Sequence, residues 1–206
     1  MRDIREIKRR LREEAKQWRA ALPADEKQRM DAEIARRLTQ SRQYGEARTV
    51  LIYVSTPIEV ETHPIIEAAW AEGKRVAVPY CVDGTREMRF YQITSFDQLA
   101  PRTFGVWEPV PEKCALLEDF ADSICIVPAL VYDLAGYRLG YGAGYYDRFL
   151  SRYPGFKAGV VYSGCIKSRL THGRYDLPVD LLVTEEKLIY PKRRQRHRPW
   201  QGAEKR

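Results

Sequence analysis

Ile4, Ile7, Leu11, Ala15 and Trp18 recur at steps of three and four among charged residues, which makes a single apolar stripe along a helix. Pro23 is placed for the first turn of a second helix, in which Met30, Ile34 and Leu38 repeat every four residues. Past Gly45 the pattern changes to short β-branched or aromatic runs separated by turn residues, as buried strands require. Strands are predicted over 49–54, 75–78, 89–93, 124–130, 159–162 and 181–183, and helices over 64–72 and 145–153. The run 124–130 is the most apolar in the chain and reads as a central strand. In the helix over 145–153, Tyr146, Phe149, Leu150 and Tyr153 share one face, while residues 96–122 are the least regular and read as loops near a site.

Strands alternating with helices predict an α/β fold: a three-layer, open, mostly parallel sheet with helices on both faces and ligands gathered at the carboxyl ends of the strands. A chain of 206 residues with 44% hydrophobic content can close one well-buried core, so a single catalytic domain is expected over 1–190. No apolar run approaches bilayer length and the first thirty positions are charged, so a cytoplasmic protein with no membrane contact is expected. Cys81, Cys114, Cys125 and Cys165 show no metal-ligand spacing and read as unpaired thiols. Of the formal charge of +7, residues 192–206 hold seven Lys or Arg against one acid, leaving the body near neutral. Residues 191–206 read as a disordered, solvated tail, able at most to make weak, non-specific contact with nucleic acid. Monomer is the default.

Candidate chemistry concentrates in Arg138-Leu139-Gly140-Tyr141-Gly142-Ala143-Gly144-Tyr145-Tyr146-Asp147. Three alternating glycines after an apolar strand and before a helix let the backbone approach an anion closely, and phosphate is the natural guest. The spacing is neither a Walker loop nor the dinucleotide-fold fingerprint. By itself it fits a flexible turn equally well. Its neighbours change the balance, because Arg138 can neutralise phosphate, Asp147 can hold magnesium and the tyrosines can stack on a flat heterocycle.

With these residues the sequence resembles the 5-formyltetrahydrofolate cyclo-ligases, from Lys8 to about Glu185. The resemblance rests on the loop just quoted, on Val127-Pro128-Ala129-Leu130 before it, and on Pro178-Val179-Asp180 followed by Thr184-Glu185. Lys8-Arg9-Arg10-Leu11-Arg12 and Glu59-Val60-Glu61-Thr62 complete it. It implies ATP-driven, magnesium-dependent conversion of 5-formyltetrahydrofolate to 5,10-methenyltetrahydrofolate with release of ADP and phosphate, on a fold like that of sugar-phosphate isomerases and CoA-transferases. Carried over by position, residues 8–12 and 138–146 would contact ATP, with Arg138 and Tyr145 catalytic. Asp147 and Asp180 would organise magnesium. Val54 and Glu59 would meet the folate, Phe104 would flank its pterin, and residues 141–145 would lie between the two substrates.

Without the resemblance, Lys8 and Arg12 would read as a solvated helix face and Asp180 as the end of a turn. Glu59 and Glu61 alternate about Val60, so at most one faces a site if the segment is extended. The chain departs from the family pattern at Ala143, where lysine or glycine is common, and at Tyr175-Asp176, where a histidine-aspartate pair is frequent. Basic residues for phosphate must then come from Lys8, Arg12 or Arg138. Competing readings are a sugar-phosphate or CoA-type enzyme on the same fold, and a nucleic-acid binder acting through its tail. Deleting residues 192–206 separates the last from the others: cyclisation is expected to survive, while any salt-sensitive binding to DNA or RNA, followed by titration at two salt concentrations, is expected to vanish.

Overall fold

A computed structural model describes residues 3–102, 105–173 and 176–191. Phe104, Tyr175 and the basic tail of 192–206 lie outside the described residues. Helices α1 (Ile4–Ala20), α2 (Ala24–Thr39) and α3 (Arg42–Glu46) come first, followed by β1 (Thr49–Ile52), α4 (His63–Ala71), β2 (Arg75–Cys81) and β3 (Met88–Ile93). Short strands β4 (Leu99–Pro101), β5 (Trp107–Pro109) and β6 (Ala115–Leu116) occupy the irregular region, then β7 (Ser123–Val127), β8 (Val131–Asp133) and β9 (Arg138–Leu139). Helix α5 (Tyr145–Leu150) and strands β10 (Phe156–Val160), β11 (Ile166–Lys167), β12 (Leu181–Val183) and β13 (Leu188–Ile189) complete the order.

Among the described residues the main sheet has eight strands in the order β13-β12-β10-β7-β1-β2-β3-β6. Strands β12, β10, β7, β1 and β2 run parallel, and antiparallel strands close both edges. The period of two along each strand sorts side chains into two cores. Val50 and Ile52 of β1, with Ile124 and Ile126 of β7, pack under Met30, Ile34 and Leu38 of α2 and Ile65 and Ile66 of α4. Leu51, Cys125 and Val127 face the other way, toward Phe149 and Leu150 of α5, Ala15 of α1 and Tyr132 and Leu139 of the β8–β9 ribbon. The expected three-layer, mostly parallel architecture is therefore present. Cys125 is fully buried, as a small apolar side chain would be, and burial pushes its thiol up to about 12.

Three local expectations need correction. The apolar run 124–130 is not one strand: β7 ends at Val127 because Pro128 has no N–H to continue a ladder, and β8 starts at Val131 in a separate sheet beside β9 and β11. Helix α5 stops at Leu150, short of Tyr153, although Tyr153 still packs against Phe149 with ring centroids 5.4 Å apart. Along α1 the apolar stripe buries only its middle, since Ile4 is 53% exposed while the deepest side chain is Arg19, at 3%. No helix among the described residues is long and apolar enough to cross a membrane.

Gly159 of β10 holds the ribbon against the sheet, since a Cβ there would stand 2.5 Å from the Tyr132 ring, whose hydroxyl donates to Val127 O at 2.9 Å. Gly140 has nothing within 4 Å of the same position and no left-handed φ. Gly159→Ala is accordingly expected to lose roughly 1–3 kcal/mol in urea unfolding through overpacking. Gly140→Ala is expected to cost nothing, and to gain up to about 1 kcal/mol by restricting the unfolded chain.

Candidate active site

The chain leaves β1 toward β2 on one side, and reaches β7, β10 and β12 on the other. Loops following β1 and β7 therefore diverge and open a crevice at the carboxyl ends of these strands, where an open α/β sheet takes its ligand. Three segments converge there: the acidic turn after β1, the glycine loop ahead of α5, and the inward face of α1.

In the acidic turn, Glu59 is 7% exposed, and its Oε2 accepts hydrogen bonds from the backbone N–H of Thr56 at 2.9 Å and the Thr56 hydroxyl at 2.8 Å. Asp31 of α2 braces the turn from behind, accepting from the N–H of Glu61 at 3.1 Å and the Tyr162 hydroxyl at 2.7 Å. Glu61 points elsewhere, accepting from the Ser55 hydroxyl at 2.8 Å and the His63 N–H at 3.0 Å where α4 begins. Of the two alternating glutamates, Glu59 is the one turned toward the glycine loop. The Tyr141 phenol reaches in beside Thr56 and Glu59, and burial followed by the Glu59 charge raises its pKa, although the residue as a whole is 50% exposed. Val54 is packed in the core at 4% exposure, which leaves its main chain rather than its side chain for a ligand.

The glycine loop requires glycine at two of its three positions. Gly142 has φ +106° and Gly144 has φ +81°, a left-handed conformation that caps the start of α5. Gly142 is doubly constrained, because a Cβ there would lie 3.2 Å from an Arg12 Nη. Arg12 reaches across from α1 and its Nε donates to Gly140 O at 2.8 Å. The Tyr145 hydroxyl donates to Thr85 O at 3.2 Å, tying the loop to the β2–β3 hairpin, while Ala143 is exposed. The Tyr146 hydroxyl is buried with no hydrogen-bond partner among the described residues.

Only part of the basic segment in α1 faces this loop. Arg9 pairs with Glu6 at 4.0 Å and Arg10 with Glu14 at 3.3 Å, all four side chains being more than half exposed. Residues four apart share a helix face and their immediate neighbours do not, so Lys8 and Arg12 turn inward together. The expected nucleotide contacts of Arg9 and Arg10 are therefore not brought to the site, and Leu11 serves by packing against the second core.

Arg138, with its side chain 5% exposed, forms an ion pair with Asp147 and donates through Nη1 to Leu177 O at 3.0 Å. The guanidinium is thus committed to Asp147 rather than free at the loop. Burial raises the Asp147 pKa, the Arg138 charge opposes that rise, Asp176 adds to it and Lys8 opposes it. Lys8 in turn stands 3.7 Å from Asp176, whose Oδ2 also accepts from the Gly173 N–H at 2.8 Å. Asp180 is held differently: at the amino end of β12, its Oδ2 accepts from the Lys157 N–H at 3.0 Å and lies 3.1 Å from the Lys157 ammonium. Asp147 thus has Asp176 as an acidic neighbour, while the Asp180 carboxylate lies against Lys157. Among the described residues no group of three or more His, Cys, Asp or Glu could hold a metal ion. Two carboxylates fit a magnesium ion that keeps water and phosphate oxygens as its other ligands.

Sequence reasoning missed Arg19 and passed over Asp176 as an acid of the site. Arg19 Nη2 donates to Ala129 O at 2.7 Å and Leu130 O at 2.9 Å, joining α1 to the exit of β7. Its signal was present, because Arg19 falls four residues after Ala15, on the apolar stripe itself. Asp176 offered only its place in a departing motif.

The family model described as the 5-formyltetrahydrofolate cyclo-ligase family matches residues 4–185, which takes in all three walls of the crevice. The mouse 5-formyltetrahydrofolate cyclo-ligase is 33% identical over 196 residues, 89% of this chain and 96% of that protein. The probable 5-formyltetrahydrofolate cyclo-ligase of Schizosaccharomyces pombe is 31% identical over 176 residues, 76% of this chain and 84% of that one. The NMR structure of Aquifex aeolicus 5,10-methenyltetrahydrofolate synthetase aligns with a TM-score of 0.79 at 30% identity, covering 95% of this chain and 100% of that chain. By sequence along nearly its whole described length and by fold, the chain belongs to the 5-formyltetrahydrofolate cyclo-ligase family.

Proposed function

We propose that the protein converts 5-formyltetrahydrofolate to 5,10-methenyltetrahydrofolate at the expense of ATP, with magnesium, releasing ADP and phosphate. The observation that carries this reading is the meeting, at one crevice, of a buried carboxylate turned toward a loop tyrosine with a glycine loop overlaid by an arginine. The formyl oxygen takes the γ-phosphoryl group, N10 closes on the activated carbon, and phosphate leaves. No nucleophilic side chain is needed, and the protein supplies positioning and charge neutralisation.

Each wall has a matching task. Glu59 is held by Thr56 through Oε2, and its carboxylate can accept from the amino and ring N–H groups of a pterin. Tyr141, half exposed above Glu59, offers an aromatic face between the two substrates. Arg12 and Lys8 bring positive charge over the glycine loop toward the phosphates, in the place of a cation at Ala143. Asp147 and Asp176 would hold magnesium, which when bound neutralises phosphate charge and relieves the repulsion between these two carboxylates. Arg138 acts on Asp147 and orients it.

ATP-dependent appearance of the methenyl chromophore, on mixing the protein with 5-formyltetrahydrofolate and magnesium, tests the reading directly; a folded sample that gives no signal sinks it. Arg12→Ala is expected to raise the KM for ATP about tenfold or more by removing a charge-assisted contact. Arg9→Ala, on the outer face, is expected to stay within about twofold of the wild type. Asp147→Asn is expected to lower kcat at least about a hundredfold, with part of the loss recovered at high magnesium, and with an unfolding midpoint close to that of the wild type.

A further inference from the structure

Arg19 is a buried cation whose Nη atoms address main-chain carbonyls on two separate elements. Nη2 donates to Ala129 O at 2.7 Å and to Leu130 O at 2.9 Å, and Nη1 to Ile58 O at 3.4 Å. Its guanidinium carbon stands 5.5 Å from the centroid of the Tyr162 ring. Ile58 immediately precedes Glu59, and Ala129 and Leu130 form the exit of β7, so one planar group spans the two sides of the switch point. The same charge acts on Tyr53, Tyr141 and Tyr162, which surround the acidic turn.

A guanidinium presents donors in a fixed fork and can fix several acceptors relative to one another, whereas an ammonium supplies equal charge without that geometry. The glycine loop has anchors of its own in the Arg12 contact with Gly140, the Tyr145 contact with Thr85 and the pairing of β8 with β9. What Arg19 adds is the spacing between the acidic turn and the exit of β7. Resting on the reading of that turn as the folate wall, we propose that Arg19 is a positioning residue for the folate: its fork to Ile58, Ala129 and Leu130 holds Glu59 at a set distance from the rest of the crevice.

Arg19→Lys separates charge from geometry. Its expected signature is a KM for 5-formyltetrahydrofolate raised about tenfold or more, with the KM for ATP within about threefold of the wild type, in a protein that still melts cooperatively. Amide hydrogen exchange, which needs no substrate, is expected to quicken in the turn around Ile58 and Glu59 of the variant and to stay unchanged at the β8–β9 pairing. Arg19→Gln, if folded, is expected to exceed Arg19→Lys in the folate effect. A folded Arg19→Lys with both KM values and the turn's exchange unchanged overturns the proposal and leaves Arg19 a purely structural residue. Equal rises in the two KM values also overturn it, by showing that both walls hang on this side chain. A wild-type protein that gives no methenyl product removes the folate reading itself, while the exchange result still decides whether Arg19 holds the turn.

Discussion

The hydrogen bonds of one buried guanidinium tie the acidic turn after β1 to the exit of β7. Pro128 ends β7, and past it the carbonyls of Ala129 and Leu130 turn to Arg19 as donor. Buried carbonyls need donors, and a buried charge needs acceptors, so each side satisfies the other at a point where a sheet ladder cannot. Arg19 also fixes the helix that carries it. Arg12 lies seven residues earlier on the same rod, about 10 Å along its axis, where its own hydrogen bond to Gly140 O seats it on the glycine loop. Trp18 presses the same end of α1 onto Gly164, where a Cβ would come within 2.5 Å of the indole.

Charge in the crevice is arranged in opposed pairs. Arg138 holds Asp147, and Lys8 faces Asp176, with the two carboxylates close enough to act on each other. On the proposed function, a magnesium nucleotide would bring both signs at once, a cation to the carboxylates and phosphate to Lys8 and Arg12, without leaving an uncompensated charge behind. Such a site answers the departure at Ala143. The positive charge missing from the loop's own sequence is supplied across space by α1, and Gly142 leaves room for the Arg12 guanidinium to lie against the backbone.

Much of this was legible before the fold. Periodicity places both long helices, and the parallel strands come out within a few residues because strands buried on both faces read as apolar runs. The glycine loop stands out through its spacing, while alternation says only that at most one of Glu59 and Glu61 can face a site, and it is the family resemblance that picks Glu59. Arg9, Arg10, Val54 and Asp180 are residues whose placement the motifs did not foretell. Arg9 and Arg10 belong to the same basic segment as Lys8 and Arg12, but a helix turns them outward, and a motif written as a string does not weigh that rotation. Val54 stands at the mouth of β1, yet its side chain belongs to the core. Asp180 lies in a motif block, but at the amino end of β12, where Lys157 already holds its carboxylate.

The sequence by itself determined the alternation of strands and helices, the two-sided burial of the central strands and the position of the glycine loop, because these follow from periods of 2 and 3.6 and from backbone freedom at glycine. Only the tertiary structure decided which charges meet. Arg12 and Gly140 are 128 residues apart in the chain, and Arg19 and Ala129 are 110 apart. Contacts at such separations are set by strand order and by the way α1 packs across the sheet. No local pattern encodes that Asp176 stands near Asp147 while Asp180 lies beside Lys157. It follows from where the switch point opens the crevice and from which carboxylate the folded chain delivers to it.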